Sequence, residues 1–187
     1  MQLTKEKVLS HFELAARIYA ATMLLTYGFG KLMGGQFYQG SIPETVASLP
    51  LAEVGGFDLA WTFFGFSYGY ILFIGGTQIL GSFMLLFHRT KLLGAATLIP
   101  VLLNIIVVDF FFEISTGAML SAISYLTAVS FVVFYNREKV IKAIKAVIPD
   151  SGEKKRMGQK LLKLGIAIAI VAVIVLLENQ MLNFVGR

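Results

Sequence analysis

Three long stretches without a formal charge constrain this chain more than any other feature. Leu59 to Phe87 runs 29 residues, Leu92 to Val108 runs 17, and Ile114 to Asn136 runs 23. A helix rises about 1.5 Å per residue, so roughly 20 residues cross the hydrocarbon core of a bilayer. A buried helix of that length in a water-soluble protein would still carry a polar stripe, and these do not. The mean hydropathy of +0.77 and the 14% share of charged residues point the same way. The expected fold is an all-α polytopic membrane protein.

The predicted spans are roughly 12–32, 64–87, 92–112, 115–136 and 161–183. The last holds 14 uncharged residues between Lys163 and Glu178, and Lys163 can lengthen it by snorkelling to the interface. The expected organisation is a four-helix transmembrane bundle over 1–137, a basic interfacial helix and linker over 138–160, and an additional C-terminal transmembrane helix over 161–187. Arg17 interrupts what would be the apolar core of a signal peptide, so the first span is expected to stay in the mature protein.

Charge sets the orientation. The connection 33–60 carries Glu44, Glu53 and Asp58 and no Lys or Arg. The turn after the second span reads His88-Arg89-Thr90-Lys91, and 137–163 carries nine basic residues against three acids. With Lys5 and Lys7 at the start, every basic segment falls on one side of five spans. The positive-inside rule then places the N-terminus in the cytoplasm and the C-terminus outside. The net charge of +5 is accordingly read as topology and not as a nucleic-acid footprint.

Two connections predict structure of their own. Ser41-Ile42-Pro43-Glu44 reads as a capping box opening a short helix over 42–48, ending before Pro50. In 138–148, Lys139, Lys142 and Lys145 share one face and Val140, Ile141, Ile144, Val147 and Ile148 fill the rest. That pattern suits a helix lying on anionic lipid headgroups, with docking of a membrane-protein partner as the alternative. Pro149-Asp150-Ser151-Gly152 is expected to end it.

Lipid offers no hydrophobic drive between helices, so small residues at helical spacing mark their contacts. On the second span Gly65, Gly69 and Gly76 form one stripe and Gly75, Gly81 and Ser82 another; Gly117, Ser121, Ser124 and Ala128 form a third on the fourth span. Pro100 is expected to kink the third span. Counting about 1.5 Å per residue from the basic edge sorts the polar residues into layers. Arg17 and Ser82 fall at about 7–8 Å, Gln78, Asn104 and Tyr125 at about 14–18 Å, and Lys31, Asp109 and Glu113 at about 25–31 Å.

The middle layer, close to the bilayer midplane, has two readings. Gln78, Asn104 and Tyr125 are either interhelical glue or a polar patch in an apolar pocket for a lipid-like ligand. Residues 17, 20, 21, 24, 28 and 31 fall on one broad helical face, with Ala20, Ala21 and Gly28 small enough to let another helix approach. Arg17 is therefore expected to point inward and reach Ser82 or Gln78, with Glu13 one turn away balancing its charge. Together Arg17, Gln78, Ser82, Asn104 and Tyr125 are the candidate ligand-binding set. Lys31 is predicted to form a salt bridge with Asp109 or Glu113 that closes the outer end of the bundle.

Several chemistries find no support. The absence of cysteine excludes disulfides, iron–sulfur clusters and zinc-thiolate sites. No metal cluster, nucleotide fingerprint or Ser-His-Asp arrangement is visible. His11 and His88, the only histidines, belong to the basic edges of neighbouring spans, an arrangement that suits haem ligation but is commoner as a basic rim. No internal repeat of the kind transporters carry is evident.

These features resemble the DoxX-like family of small bacterial membrane proteins. The resemblance rests on Ala16-Arg17, on Tyr27-Gly28-Phe29-Gly30-Lys31-Leu32, on Gly65-Phe66-Ser67, on Gly75-Gly76-Thr77-Gln78-Ile79-Leu80-Gly81, and on Leu85-Leu86-Phe87-His88-Arg89-Thr90. It covers about residues 12–137. It implies a four-helix bundle and, for some members, a link to respiratory quinol oxidation. Gln78 stands where members often carry Glu, which removes a charge partner for Arg17; the fifth span extends beyond the family's usual four. The expected function is an accessory or binding protein that takes a lipophilic molecule such as a quinone or assists a membrane redox complex. A small-molecule transporter or channel subunit is the alternative. Enzymatic activity would be at most that of a subunit of a quinol-linked oxidoreductase.

Overall fold

The computed structural model describes residues 4–148 and 157–185, and they contain no strand. The helices are α1 (Lys5–Leu32), α2 (Glu44–Ala47), α3 (Gly56–Gly65), α4 (Tyr68–Leu86), α5 (Lys91–Phe111), α6 (Thr116–Tyr135), α7 (Arg137–Val147) and α8 (Met157–Val185), with one 3-10 turn at Leu51–Glu53. Among the described residues five segments are long and apolar enough to cross a membrane: Glu6–Leu32, Tyr68–Leu86, Lys91–Phe111, Thr116–Tyr135 and Leu161–Glu178. The chain is a multi-pass helical membrane protein.

Two compact units divide it, Met1–Ala143 and Ile144–Arg187. In the first, α1, α4, α5 and α6 pack as a ring, α1 and α5 each against both α4 and α6. Their core is apolar, built on Ala20, Ala21, Leu24, Leu85, Leu98 and Val129. The ring's outer surface is apolar as well, with Phe12, Phe73, Phe83, Leu103 and Leu120 all exposed, as lipid contact requires. In the second unit, α8 carries apolar side chains around its whole circumference from Leu164 to Leu177, a pattern that suits immersion in lipid. The expected break at Pro149–Gly152 lies outside the described residues.

Glycines set the helix separations. A Cβ on Gly94 would meet Leu85 N at 2.5 Å and Gly81 O at 2.6 Å, so α4 and α5 touch backbone to backbone there. Gly28 and Gly75 play the same part where α1 crosses α4. Of the two stripes expected on the second span, only that of Gly75 and Gly81 packs. Gly76 faces open space, Gly69 meets only the nearby Ser67 hydroxyl at 3.6 Å, and Gly65 belongs to α3.

The second span begins at Tyr68 and not at the expected residue 64. The chain breaks at Ser67, whose φ of −131° and ψ of 123° are extended, so α3 is a separate helix. The charge-free run from Leu59 hid the break, because hydropathy does not distinguish one long helix from two short ones. The capping box also fails. α2 starts only at Glu44 with Pro43 as its N-cap, three residues past Ser41, and no side chain caps it. α7 occupies nearly the expected range.

Beyond α1 the chain folds back over the end of the bundle. Gly34, at φ +80°, supplies the left-handed residue that ends the helix, and Gly35 N donates to Gly30 O at 2.8 Å. Gln39 Nε2 donates to the Lys31 carbonyl at 2.6 Å. Tyr38 then anchors α3, its N–H donating to Trp61 O at 3.2 Å and its hydroxyl to Asp58 Oδ1 at 2.7 Å. Gly56 lies against the Phe112 carbonyl and Gly65 against the Tyr38 backbone, so both ends of α3 fit tightly.

Candidate functional site

α1 buries a single stripe at three- and four-residue spacing, and three of its side chains are charged: Glu13, Arg17 and Lys31. Arg17 and Lys31 are 14 residues apart, about 21 Å along the axis. They serve two separate polar clusters, with the apolar core between them.

The first cluster lies away from the basic loops. Lys31 is 8% exposed, and its Nζ donates to Gln78 Oε1 at 3.1 Å. Gln78 Nε2 donates in turn to the Leu24 carbonyl at 2.8 Å, and Ser82 Oγ donates to the Gln78 carbonyl at 2.7 Å. An ammonium has three N–H donors, so two on Lys31 remain for something else. Asp109 Oδ2 is buried without any hydrogen-bond partner.

These groups border two adjoining cavities of about 380 and 100 Å³, which share Lys31, Gln36, Trp61, Gln78, Ile105 and Asp109. Phe37, Phe64, Tyr70 and Phe73 wall the larger one, and Pro100 and Asn104 complete it. Tyr125 and Tyr27 belong to the smaller, their rings 6.2 Å apart. Phe37 adopts φ 68°, a left-handed conformation costly for a bulky residue, and its ring stands 5.4 Å from Trp61 and 5.2 Å from Phe64. Aromatic packing thus holds a strained backbone at the cavity wall.

The second cluster lies at the basic end. Lys91 Nζ donates to Glu13 Oε1 at 2.6 Å, and Asn136 Nδ2 approaches the same oxygen at 3.4 Å. Arg17 Nε stands 3.7 Å from Glu13 Oε2. All four side chains are buried.

No family model matches the chain, and no solved structure does either. One relative is an uncharacterized protein of Bacillus subtilis, YwoB. It is 39% identical over 98 residues, covering 52% of this chain and 60% of the relative. The match thus spans less than two thirds of that protein's length.

The expected ligand set is divided between these places. Gln78, Asn104 and Tyr125 border the Lys31 cavities, whereas Arg17 lines a different one at the basic end. Arg17 makes no hydrogen bond to Ser82 or Gln78, correcting the expected contact. The Ser82 hydroxyl is committed to its own helix and the Gln78 amide to Leu24 and Lys31. His11 and His88 border the same basic-end cavity as Arg17, and His11 Nδ1 is bonded to the Lys7 carbonyl at 2.5 Å. Among the described residues no group of three or more His, Asp or Glu is placed to hold a metal ion.

The predicted outer ion pair does not form. Neither Asp109 nor Glu113 comes within salt-bridge range of Lys31, which bonds Gln78 instead. Helical side chains tilt toward the N-terminus of their helix, here the basic end. The long Lys31 chain therefore runs back toward the middle of the bundle. Glu113 lies past the end of α5, exposed at φ 52°, and so is not one helical turn beyond Asp109.

Sequence reasoning missed Trp61, Phe37, Lys91 and Asn136. Trp61 was hidden in an apparent connection, and Lys91 looked like one more member of a basic rim. No local pattern marks Asn136 as a partner of Glu13, 123 residues away.

Proposed function

We propose that this protein is a membrane accessory protein of the DoxX-like type that binds a lipophilic molecule with a polar, hydrogen-bonding head. A quinone is the ligand class that fits best. The observation that carries this reading is a buried lysine in an aromatic-walled cavity with only a neutral hydrogen-bond partner. Its spare N–H donors suit a carbonyl oxygen, and the unpartnered Asp109 oxygen suits a hydroxyl, the two forms a quinone head takes. Trp61, Phe64 and Phe73 offer flat apolar surface to the rest of such a ring. The larger cavity, at about 380 Å³, falls within the range of small-molecule sites. Orientation follows the charges: N-terminus in the cytoplasm, C-terminus outside, in a bacterial cytoplasmic membrane. Transport is the weaker reading, because an apolar core separates the cavities at the two ends.

The sole tryptophan, Trp61, lines both chambers, so its fluorescence is a direct probe. Titrating a short-chain quinone into the purified protein should quench it saturably. Lys31→Met should shift the curve to higher concentration. Quenching that is merely linear, and identical in the two proteins, would remove the quinone reading.

A further inference from the structure

The basic-end cavity holds an imbalance that the ligand reading above does not use. Two buried cations, Arg17 and Lys91, share one buried carboxylate, Glu13. Glu13 Oε1 is taken by Lys91 at 2.6 Å and approached by Asn136 at 3.4 Å. What remains for Arg17 is Oε2 at 3.7 Å, too far for a hydrogen bond. Arg17 Nε and Nη1 accordingly have no partner, although the residue is only 6% exposed.

A buried guanidinium with idle donors is costly, and a buried cluster with one surplus positive charge more so. Arg17 lines a cavity of about 730 Å³ that opens among α1, the start of α5, and the α6–α7 junction. His88 and the exposed Lys139 stand on its wall, and Glu6 and Glu138 are the acids that accompany them. The planar fork of an arginine matches the paired oxygens of a phosphate, and the neighbouring ammonium adds a point charge.

We propose that this cavity binds a phosphate-bearing anion, with Arg17 donating to it and the one surplus positive charge of the Arg17, Lys91 and Glu13 cluster compensating its own. The position, at the basic end of a membrane bundle, admits two sources of that chemistry: a phospholipid headgroup or a soluble phosphate. The site is separate from the Lys31 cavities and does not depend on their ligand.

Thermal unfolding of the full chain in neutral detergent tests it, titrating inorganic phosphate in one arm and phosphatidylglycerol in mixed micelles in the other. Phosphatidylcholine serves as the zwitterionic control. The wild type should be stabilised saturably in at least one arm; the lipid alone would assign a headgroup and phosphate alone a soluble anion. Arg17→Gln should weaken the response roughly tenfold to hundredfold, the range for losing a charged hydrogen bond. If Arg17→Gln does not fold, Lys139→Glu, at an exposed position on the cavity wall, should weaken the response by repulsion. No stabilisation beyond the phosphatidylcholine control would overturn the proposal. So would an undiminished response in Arg17→Gln, or in Lys139→Glu where it stands in.

Discussion

Lys31 gives its buried ammonium to a neutral partner, the side-chain oxygen of Gln78 at 3.1 Å, although the carboxylate of Asp109 borders the same cavity. A lysine paired with an amide keeps two N–H donors and an uncompensated charge, whereas a carboxylate partner would neutralise that charge. The pair joins α1 to α4 at the floor of the candidate site.

Removing either partner should therefore cost stability unequally. Gln78→Leu leaves a buried ammonium without its hydrogen-bond acceptor, which costs more than the roughly 1–3 kcal/mol typical of a neutral group. Lys31→Met leaves only a neutral amide oxygen unsatisfied, about 1–3 kcal/mol. The double variant should be less destabilised than the sum of the two, because the groups touch. Thermal unfolding of the four proteins in detergent measures this; strict additivity would mean that the bond contributes nothing.

Among the described residues Glu13 is the only carboxylate within salt-bridge range of the two buried cations Arg17 and Lys91, so its loss should exceed that of either. Glu13→Ala is expected to cost at least about 3–5 kcal/mol, a large part of a typical domain's stability. Lys91→Met leaves Glu13 with Arg17 and should be milder. Comparing the monodisperse fraction of each variant by size-exclusion chromatography gives the order, and the reverse order would contradict the shared-carboxylate arrangement.

Glycine substitutions should separate contact from mere presence. Gly94→Ala pushes against the backbone of Leu85 and Gly81 and should destabilise by about 1–3 kcal/mol. Gly76→Ala enters open space and should be neutral or stabilising by up to about 1 kcal/mol. Equal melting temperatures for the two variants would be inconsistent with close packing of α4 on α5.

Tyr38 lies outside the spans, and its hydrogen bond to Asp58 holds its phenol above the usual tyrosine range. A raised folded value means that the folded state keeps its proton longer than the unfolded one. The stabilisation is then whole below the unfolded tyrosine value and is lost as pH rises through the folded one. Subtracting the tyrosinate absorbance titration of Tyr38→Phe from that of the wild type should isolate this group. Asp58→Asn should shift it toward lower pH.

Topology can be tested directly. A periplasmically active reporter fused at the C-terminus should be active, and one fused at Asp150 inactive. Activity of both, or of neither, would show that α8 does not cross the membrane.

What could be read in advance followed from solvent. Charge-free runs of sufficient length admit one backbone solution in lipid, since a helix satisfies its own polar groups. The spans of α5 and α6 accordingly fall within one residue of expectation, and α1 ends at Leu32 as expected but begins six residues earlier, at Glu6. Helical spacing also marked 17, 20, 21, 24, 28 and 31 as one face, and all six are buried. The candidate site was less legible. Gln78 and Tyr125 stood out as polar groups at depth, but their neighbours Trp61 and Phe37 come from a loop and a short helix that hydropathy merged with the surroundings.

Composition and periodicity thus determined by themselves that the chain is helical, where it spans, and which face of α1 turns inward, because each depends on one segment and its solvent. Only the tertiary structure decided which polar side chains meet. Lys31 bonds Gln78 and leaves Asp109 unpaired, and Glu13 goes to Lys91 and leaves Arg17 short. Those choices turn on ångström-scale reach and tilt between helices, which glycine contacts such as Gly94 against Gly81 set and no single segment encodes.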